Sequence, residues 1–158
     1  MHSTETALLK VSSDVLSGLD EEKVCLLTLL DLSAAFDTID HGILLDRLRV
    51  SYCITGQALK WFASYLSGRT QKICIGNEES KSPTILKHGV PQGSVLGPVI
   101  FTLYTQPLVA IFQRYSMRYH LYADDTQMYI FDSIDNVHDM ICTTSRCIDE
   151  VRAWMSSN

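Results

Sequence analysis

The chain has 158 residues, 46% of them apolar and 20% charged, enough for one domain with a real core, since a chain near this size buries about 70% of the surface its unfolded form exposes. A net charge of −5 and a pI near 5.4 argue against a self-sufficient nucleic-acid binder, which carries a basic footprint. Five scattered cysteines with no CxxC pair exclude a disulfide framework and a zinc site, and read as reduced, mostly buried intracellular thiols.

The segment His2-Ser3-Thr4-Glu5-Thr6 is polar, unlike a signal peptide. Ser3 is a helix N-cap, with Glu5 in the first turn and Ala7, Leu8, Val11 and Val15 at helical spacing. Gly18 and the Asp20-Glu21-Glu22-Lys23 cluster end that helix. Val24 to Leu30 is a continuous apolar run of strand length, predicted to be a central strand buried on both faces and ending in Asp31. Asp40 caps a helix through Arg49, with Ile43, Leu44 and Leu48 inward; Thr55 caps the next, with Leu59, Phe62, Ala63 and Leu66 as its face and Gly68 as its stop.

Gln71 to Ile75 and Thr84 to His88 read as two strands around the polar turn Gly76-Asn77-Glu78-Glu79-Ser80. Gly89 to Ser94 is a loop that opens a long apolar helix. The run from Val95 to Phe112 is interrupted by Pro98, Thr102, Thr105, Gln106 and Pro107, so it reads as a buried helix and no membrane span. Met117 to Leu121 and Thr126 to Phe131 form a β-hairpin with Tyr122-Ala123-Asp124-Asp125 at its tip. Ser133 or Asp135 caps a last helix, with Val137, Ile141, Ile148, Val151 and Trp154 inward. No repeat, low-complexity tract or internal boundary divides the chain.

Three segments carry chemistry. Adjacent carboxylates at a hairpin tip are costly unless a cation neutralises them, and oxygen-rich acidic sites suit Mg²⁺. Asp31 at the end of an apolar strand is a second carboxylate of this kind; its ordinary explanation is a turn or helix cap. Together, Asp31 and the Asp124-Asp125 pair could hold two divalent ions about 4 Å apart, the arrangement for in-line displacement at phosphorus. The third segment, Gly89-Val90-Pro91-Gln92-Gly93-Ser94, places a side-chain amide between two glycines at the start of a helix. Backbone there approaches a ligand closely and free N–H groups face an anion, although an ordinary strand-to-helix turn has the same composition.

In this order the three segments resemble the palm of reverse transcriptases, most closely those of LINE-type (non-LTR) retrotransposons. Asp31-Leu32-Ser33-Ala34-Ala35-Phe36-Asp37-Thr38-Ile39-Asp40-His41 is similar to the first catalytic motif of that group. Gly89 to Pro98 is similar to the second, and Tyr122-Ala123-Asp124-Asp125 to the third. The resemblance implies an α+β fold, an antiparallel sheet with helices packed on one face. It implies one partial reverse transcriptase domain over 1–158, with the end of the fingers at about 1–20 and the palm at about 21–158.

The activity implied is nucleotidyl transfer: a primer 3′-hydroxyl attacks the α-phosphate of a dNTP and pyrophosphate leaves, with Mg²⁺, or Mn²⁺ in its place, as cofactor. Asp31 and Asp124 would bind metal, with Asp125 supporting the second site. The backbone at Leu32 would hold the triphosphate, and the Phe36 ring would exclude a 2′-hydroxyl. Gln92 and Gly93 would touch the nucleotide and the template-side groove, and Tyr122 would pack near the primer end. RNA template and DNA primer are the implied partners, and the nucleus or cytoplasm the implied location. Fingers, thumb and endonuclease regions are absent from these residues, so the isolated chain is expected to be inactive. The alternatives are an inactive retrotransposon remnant acting at most as an interaction module, or a palm of the group II intron or telomerase type. An RNA-dependent RNA polymerase would usually carry Gly-Asp-Asp at the hairpin tip.

Overall fold

The computed structural model describes residues 4–31, 36–91, 93–122 and 125–158. Its elements are α1 (Thr4–Asp20), β1 (Val24–Asp31), α2 (His41–Ser51), α3 (Gly56–Leu66), four two-residue strands β2 (Thr70–Gln71), β3 (Cys74–Ile75), β4 (Glu78–Glu79) and β5 (Thr84–Ile85), then α4 (Gly97–Thr105), α5 (Leu108–Arg114), β6 (Arg118–Tyr122), β7 (Asp125–Asp132) and α6 (Val137–Ser157). Mixed helix and antiparallel sheet make this an α+β chain. It divides into two compact units, Met1–Ser33 with Thr105–Asn158, and Ala34–Tyr104.

The first unit is built on a three-stranded antiparallel sheet in the order β1-β7-β6. Here the structure corrects the sequence reading: β7 is the central strand, and β1 is an edge whose residues alternate between half-buried and exposed from Leu26 to Asp31. An unbroken apolar run does not distinguish a doubly buried strand from one whose leucines face outward, and Leu27 and Leu29 are exposed. On the other face Met128, Leu30, Tyr119, Leu121 and Ile130 join Leu108, Ile111 and Phe112 of α5 and Cys147 and Val151 of α6 in one core.

Helices on one face describes α5 and α6 but not α1. Successive strand residues point to opposite faces, so Tyr129 and Phe131 lie on the face away from that core. There the Tyr129 hydroxyl donates to Asp14 of α1 at 2.6 Å. Gly18 lies inside α1 and does not end it; a Cβ at this position would meet the Phe131 ring at 2.5 Å. The helix ends instead in a pair of hydrogen bonds, Lys23 N to Gly18 O and Glu22 N to Leu19 O, with Glu22 in the left-handed region at φ 58°. This is the Schellman arrangement with glutamate in the usual place of glycine.

The apolar stretch after Ser94 forms two helices, α4 and α5, because Pro107 and the residues around it break the ladder. No helix among the described residues is long and apolar enough to cross a membrane. At the other hairpin end, neither Ser133 nor Asp135 caps α6 through its side chain. Asp132 does the work nearby, accepting from Ser133 N at 2.7 Å and Asn136 Nδ2 at 2.9 Å. Ile141 is exposed; Met140, Thr144, Cys147 and Val151 form the inward face. Only Cys147 of the five thiols is buried, and all five are free.

In the second unit, Asp40 caps α2 as expected, accepting from Ile43 N at 2.9 Å, and Leu44 and Leu48 are fully buried. Thr55 occupies the N-cap position of α3 without a side-chain bond. The two strands expected over 71–88 are broken into short pieces. Thr70 pairs with Ile85 and Gln71 with Thr84, while Cys74–Ile75 pairs with Glu78–Glu79. The tight turn therefore involves only Gly76 and Asn77, with Gly76 at φ 61° as a type II′ hairpin requires.

Candidate active site

Asp31 and Asp125 face each other at the same end of the sheet. They terminate the β1–β7 ladder as directly opposite partners, and Asp125 is also opposite Tyr122 across the β6–β7 ladder. Opposite residues in an antiparallel pair share a face with Cβ atoms about 4.5–5.5 Å apart. The ladder thus brings two carboxylates from distant parts of the sequence into one exposed patch. Like charges in this relation repel, and a cation between them would reverse the sign of their contribution. Among the described residues no group of three or more His, Cys, Asp or Glu is gathered for a metal. Asp124, Leu32 and Gln92 lie outside the described residues. Tyr122 is placed as the last position of β6.

The remaining candidates belong to the second unit. Backbone bonds lace the second half of the first motif to the glycine loop: Val90 N donates to Phe36 O at 2.8 Å and Gly89 N to Ile39 O at 2.8 Å. His41 Nε2 lies 2.8 Å from Gly89 O. Gly89 has φ +86°, and a Cβ there would come within 2.9 Å of both Asp37 Cα and Phe36 O. Gly89→Ala is accordingly expected to lower stability by at least about 2 kcal/mol, combining left-handed strain with overpacking against backbone. Urea unfolding measures it, and an unchanged midpoint would contradict this tight packing. The half-buried Phe36 packs its ring on Phe101, centroids 5.2 Å apart. Gly93 is exposed, with φ +74° and no atom near its Cβ direction.

Sequence reasoning missed how the loop is fastened. Ser94 Oγ donates to Pro91 O at 2.7 Å, accepts from Gly97 N at 3.0 Å and accepts from the Tyr65 hydroxyl at 3.2 Å. One donated and two accepted bonds exhaust a serine hydroxyl. The spacing of Ser94 three residues before Gly97 was a readable capping signal; Tyr65 on α3 had none, because nothing in sequence announces a contact 29 residues away.

The first unit thus ends its sheet in two opposed strand-terminal carboxylates, and the second, described by itself, holds a glycine loop that opens a helix. The family model described as Reverse transcriptase (RNA-dependent DNA polymerase) matches residues 2–158, and the chain belongs to that family. It is 29% identical over 107 residues to the probable RNA-directed DNA polymerase from transposon BS of Drosophila melanogaster, covering 68% of this chain and 12% of that protein. It is 30% identical over 128 residues to the probable RNA-directed DNA polymerase from transposon X-element of the same species, covering 78% and 14%. It is 30% identical over 104 residues to the RNA-directed DNA polymerase from mobile element jockey of Drosophila funebris, covering 66% and 11%. These relatives place the chain with the reverse transcriptases of LINE-type (non-LTR) elements. It spans between about a tenth and a seventh of the length of each of these three relatives.

Proposed function

We propose that this chain is the palm core of an RNA-directed DNA polymerase that transfers a nucleotide from a dNTP to a primer 3′-hydroxyl on an RNA template. The observation that carries the reading is the opposition of Asp31 and Asp125 across the β1–β7 ladder. Two exposed carboxylates forced together fit a hard divalent cation, which takes oxygen ligands and leaves positions for phosphates. Asp31, Asp124 and Asp125 would hold Mg²⁺, or Mn²⁺ in its place; bound there it would acidify the primer hydroxyl and neutralise charge on the phosphates.

The chain's own residues would supply the positioning. Backbone at Leu32 would carry the triphosphate, Gln92 and Gly93 would contact the nucleotide and template side, and Tyr122 would pack beside the primer end. Phe36, held against Phe101, would present a wall to the sugar and select deoxynucleotides by clash with a 2′-hydroxyl. The nucleus or cytoplasm as the place of action belongs to the same proposal.

Extension of a primed RNA template with Mg²⁺ tests the assignment. The 158 residues alone are expected to give no measurable synthesis, because they span 12% of the length of the transposon BS polymerase and the rate depends on fixing primer and template in reactive geometry. Placed in the corresponding segment of the transposon BS polymerase, the chain is expected to extend the primer, and Asp124→Ala to abolish that extension. A folded chimera whose activity survives Asp124→Ala would refute the acidic assignment.

A further inference from the structure

The charge of the chain is unevenly distributed. The unit Met1–Ser33 with Thr105–Asn158 carries six Lys and Arg against thirteen Asp and Glu, a net −7; the unit Ala34–Tyr104 carries seven against five, a net +2. The whole-chain value of −5 therefore hides a basic unit. Within it, Lys60, Arg69, Lys81 and Lys87 form no ion pair among the described residues, whereas Lys72 pairs with Glu79 at 3.0 Å. Unpaired cations are those that can exchange their counterions for phosphates.

An aromatic stack stands beside one of these cations, Arg69. Trp61 on α3 is 51% exposed, large for a residue that is usually well covered. Its ring lies parallel to Tyr65, centroids 5.5 Å apart and planes 13° from parallel, and Phe62 meets it edge-on at 5.2 Å. The Arg69 guanidinium lies over the Tyr65 ring at 5.8 Å. Tyr65 is in turn held by its hydroxyl to Ser94. Arg69 also lines a cavity of about 640 Å³ with Thr70, Gln71, His88, Gly89 and Pro91, into which Asp37 brings a single carboxylate.

We propose that Trp61, Tyr65 and Arg69 form a stacking platform for single-stranded RNA, with Trp61 receiving an unpaired base and Arg69 its phosphate. An exposed aromatic stacked on its neighbour, with a guanidinium that forms no ion pair beside it, is the chemistry that binds single strands without sequence preference. The tie from Tyr65 to Ser94 would connect the platform to the glycine loop. The inference rests on the polymerase reading only in choosing RNA as the ligand.

Binding is measured on the 158-residue chain with a fluorescently labelled single-stranded oligouridine of about 12 nucleotides, within the range of known site sizes, in EDTA at several salt concentrations. Saturable binding that weakens with salt is expected. Trp61→Ala should weaken it about tenfold and Trp61→Phe much less, because stacking survives. Arg69→Ala should weaken it and reduce the salt slope by about one.

Equal affinity of Trp61→Ala, with circular dichroism showing the fold intact, would overturn the proposal. So would an absence of saturable binding, or equally effective competition by a duplex of the same strand. If Trp61→Ala changed sedimentation of the protein alone and left RNA binding intact, the patch would be a protein-docking surface and the proposal wrong. Because EDTA removes divalent ions, these outcomes are independent of the carboxylate assignment, which the Mg²⁺-dependent extension assay tests.

Discussion

Asp31→Asn is expected to have opposite effects on stability and on catalysis. In metal-free buffer at neutral pH, the isolated chain should become more stable by a few tenths of a kcal/mol up to about 1 kcal/mol, because the substitution removes a like charge directly opposite Asp125. In a polymerase that contains this segment, the same change should cut kcat by at least about a thousandfold. Charge stabilisation by a bound metal is worth several kcal/mol, and each 1.4 kcal/mol is about a factor of ten. Mg²⁺ provides the link between the two effects. At ten times its dissociation constant it should stabilise the parent chain by about 1.4 kcal/mol and the Asp31→Asn chain by clearly less. Denaturant titrations with and without Mg²⁺, beside single-turnover extension, measure all three. A variant that loses stability in metal-free buffer and keeps its response to Mg²⁺ would show that Asp31 is a structural cap.

The strong signals in the sequence are local ones. The hairpin at Tyr122 to Asp125, the Asp40 cap and the inward stripes of α2 and α3 rest on interactions within a few residues, and the structure has them. The errors concern what lies across space. Val24 to Leu30 is apolar but for Thr28, and whether such a strand is central depends on its neighbours; β7 takes that place. Gly18 resembles a helix stop because glycine often is one, yet it lies inside α1 in close approach to Phe131, on a strand 113 positions later (131 − 18). Composition likewise averaged an acidic unit with a basic one.

The candidate site divides in the same way. Asp31 and Asp125 are legible in the sequence as strand-end and hairpin-tip carboxylates, and the antiparallel register is what makes them opposite partners. The conformational freedom of Gly89 is a property of the residue type, whereas its packing against Asp37 and Phe36 follows from the bonds between two distant segments. Tyr65, Trp61 and Arg69 escaped notice because a tyrosine, a tryptophan and an arginine around one helix end read equally well as core and surface. Only the stack and its exposure distinguish them.

Tyr129→Phe is expected to destabilise the chain by about 1.5–3 kcal/mol at neutral pH, the usual contribution of a hydrogen bond to a charged acceptor. Tyr129 is almost fully buried and donates at 2.6 Å to an Asp14 carboxylate that also meets Lys10 at 2.7 Å and Arg118 at 3.8 Å. The hydrogen bond from Lys10, with that from Tyr129, holds Asp14 below the usual carboxylate range. Its stabilisation is therefore present above about pH 4 and fades as acid protonates it in the fold. Burial, reinforced by Asp14, pushes the Tyr129 phenol from 10 up to about 12. A raised value means that the folded state holds the proton more tightly. That contribution is complete below pH 10 and is lost between pH 10 and about 12, roughly 2.7 kcal/mol for two units. Cys147, pushed by burial from 9 to about 11, titrates in an overlapping window, so the alkaline limb of the parent chain has at least two sources. The difference between parent and Tyr129→Phe isolates one of them. It should be largest near neutrality and shrink through pH 10–12, where the unfolded chain releases the phenol proton that the fold still holds beside Asp14. Urea midpoints taken at intervals from pH 7 to 12 would measure it, and a difference that stayed constant across that range would mean that Tyr129 titrates normally and that its bond to Asp14 does not couple α1 to the sheet.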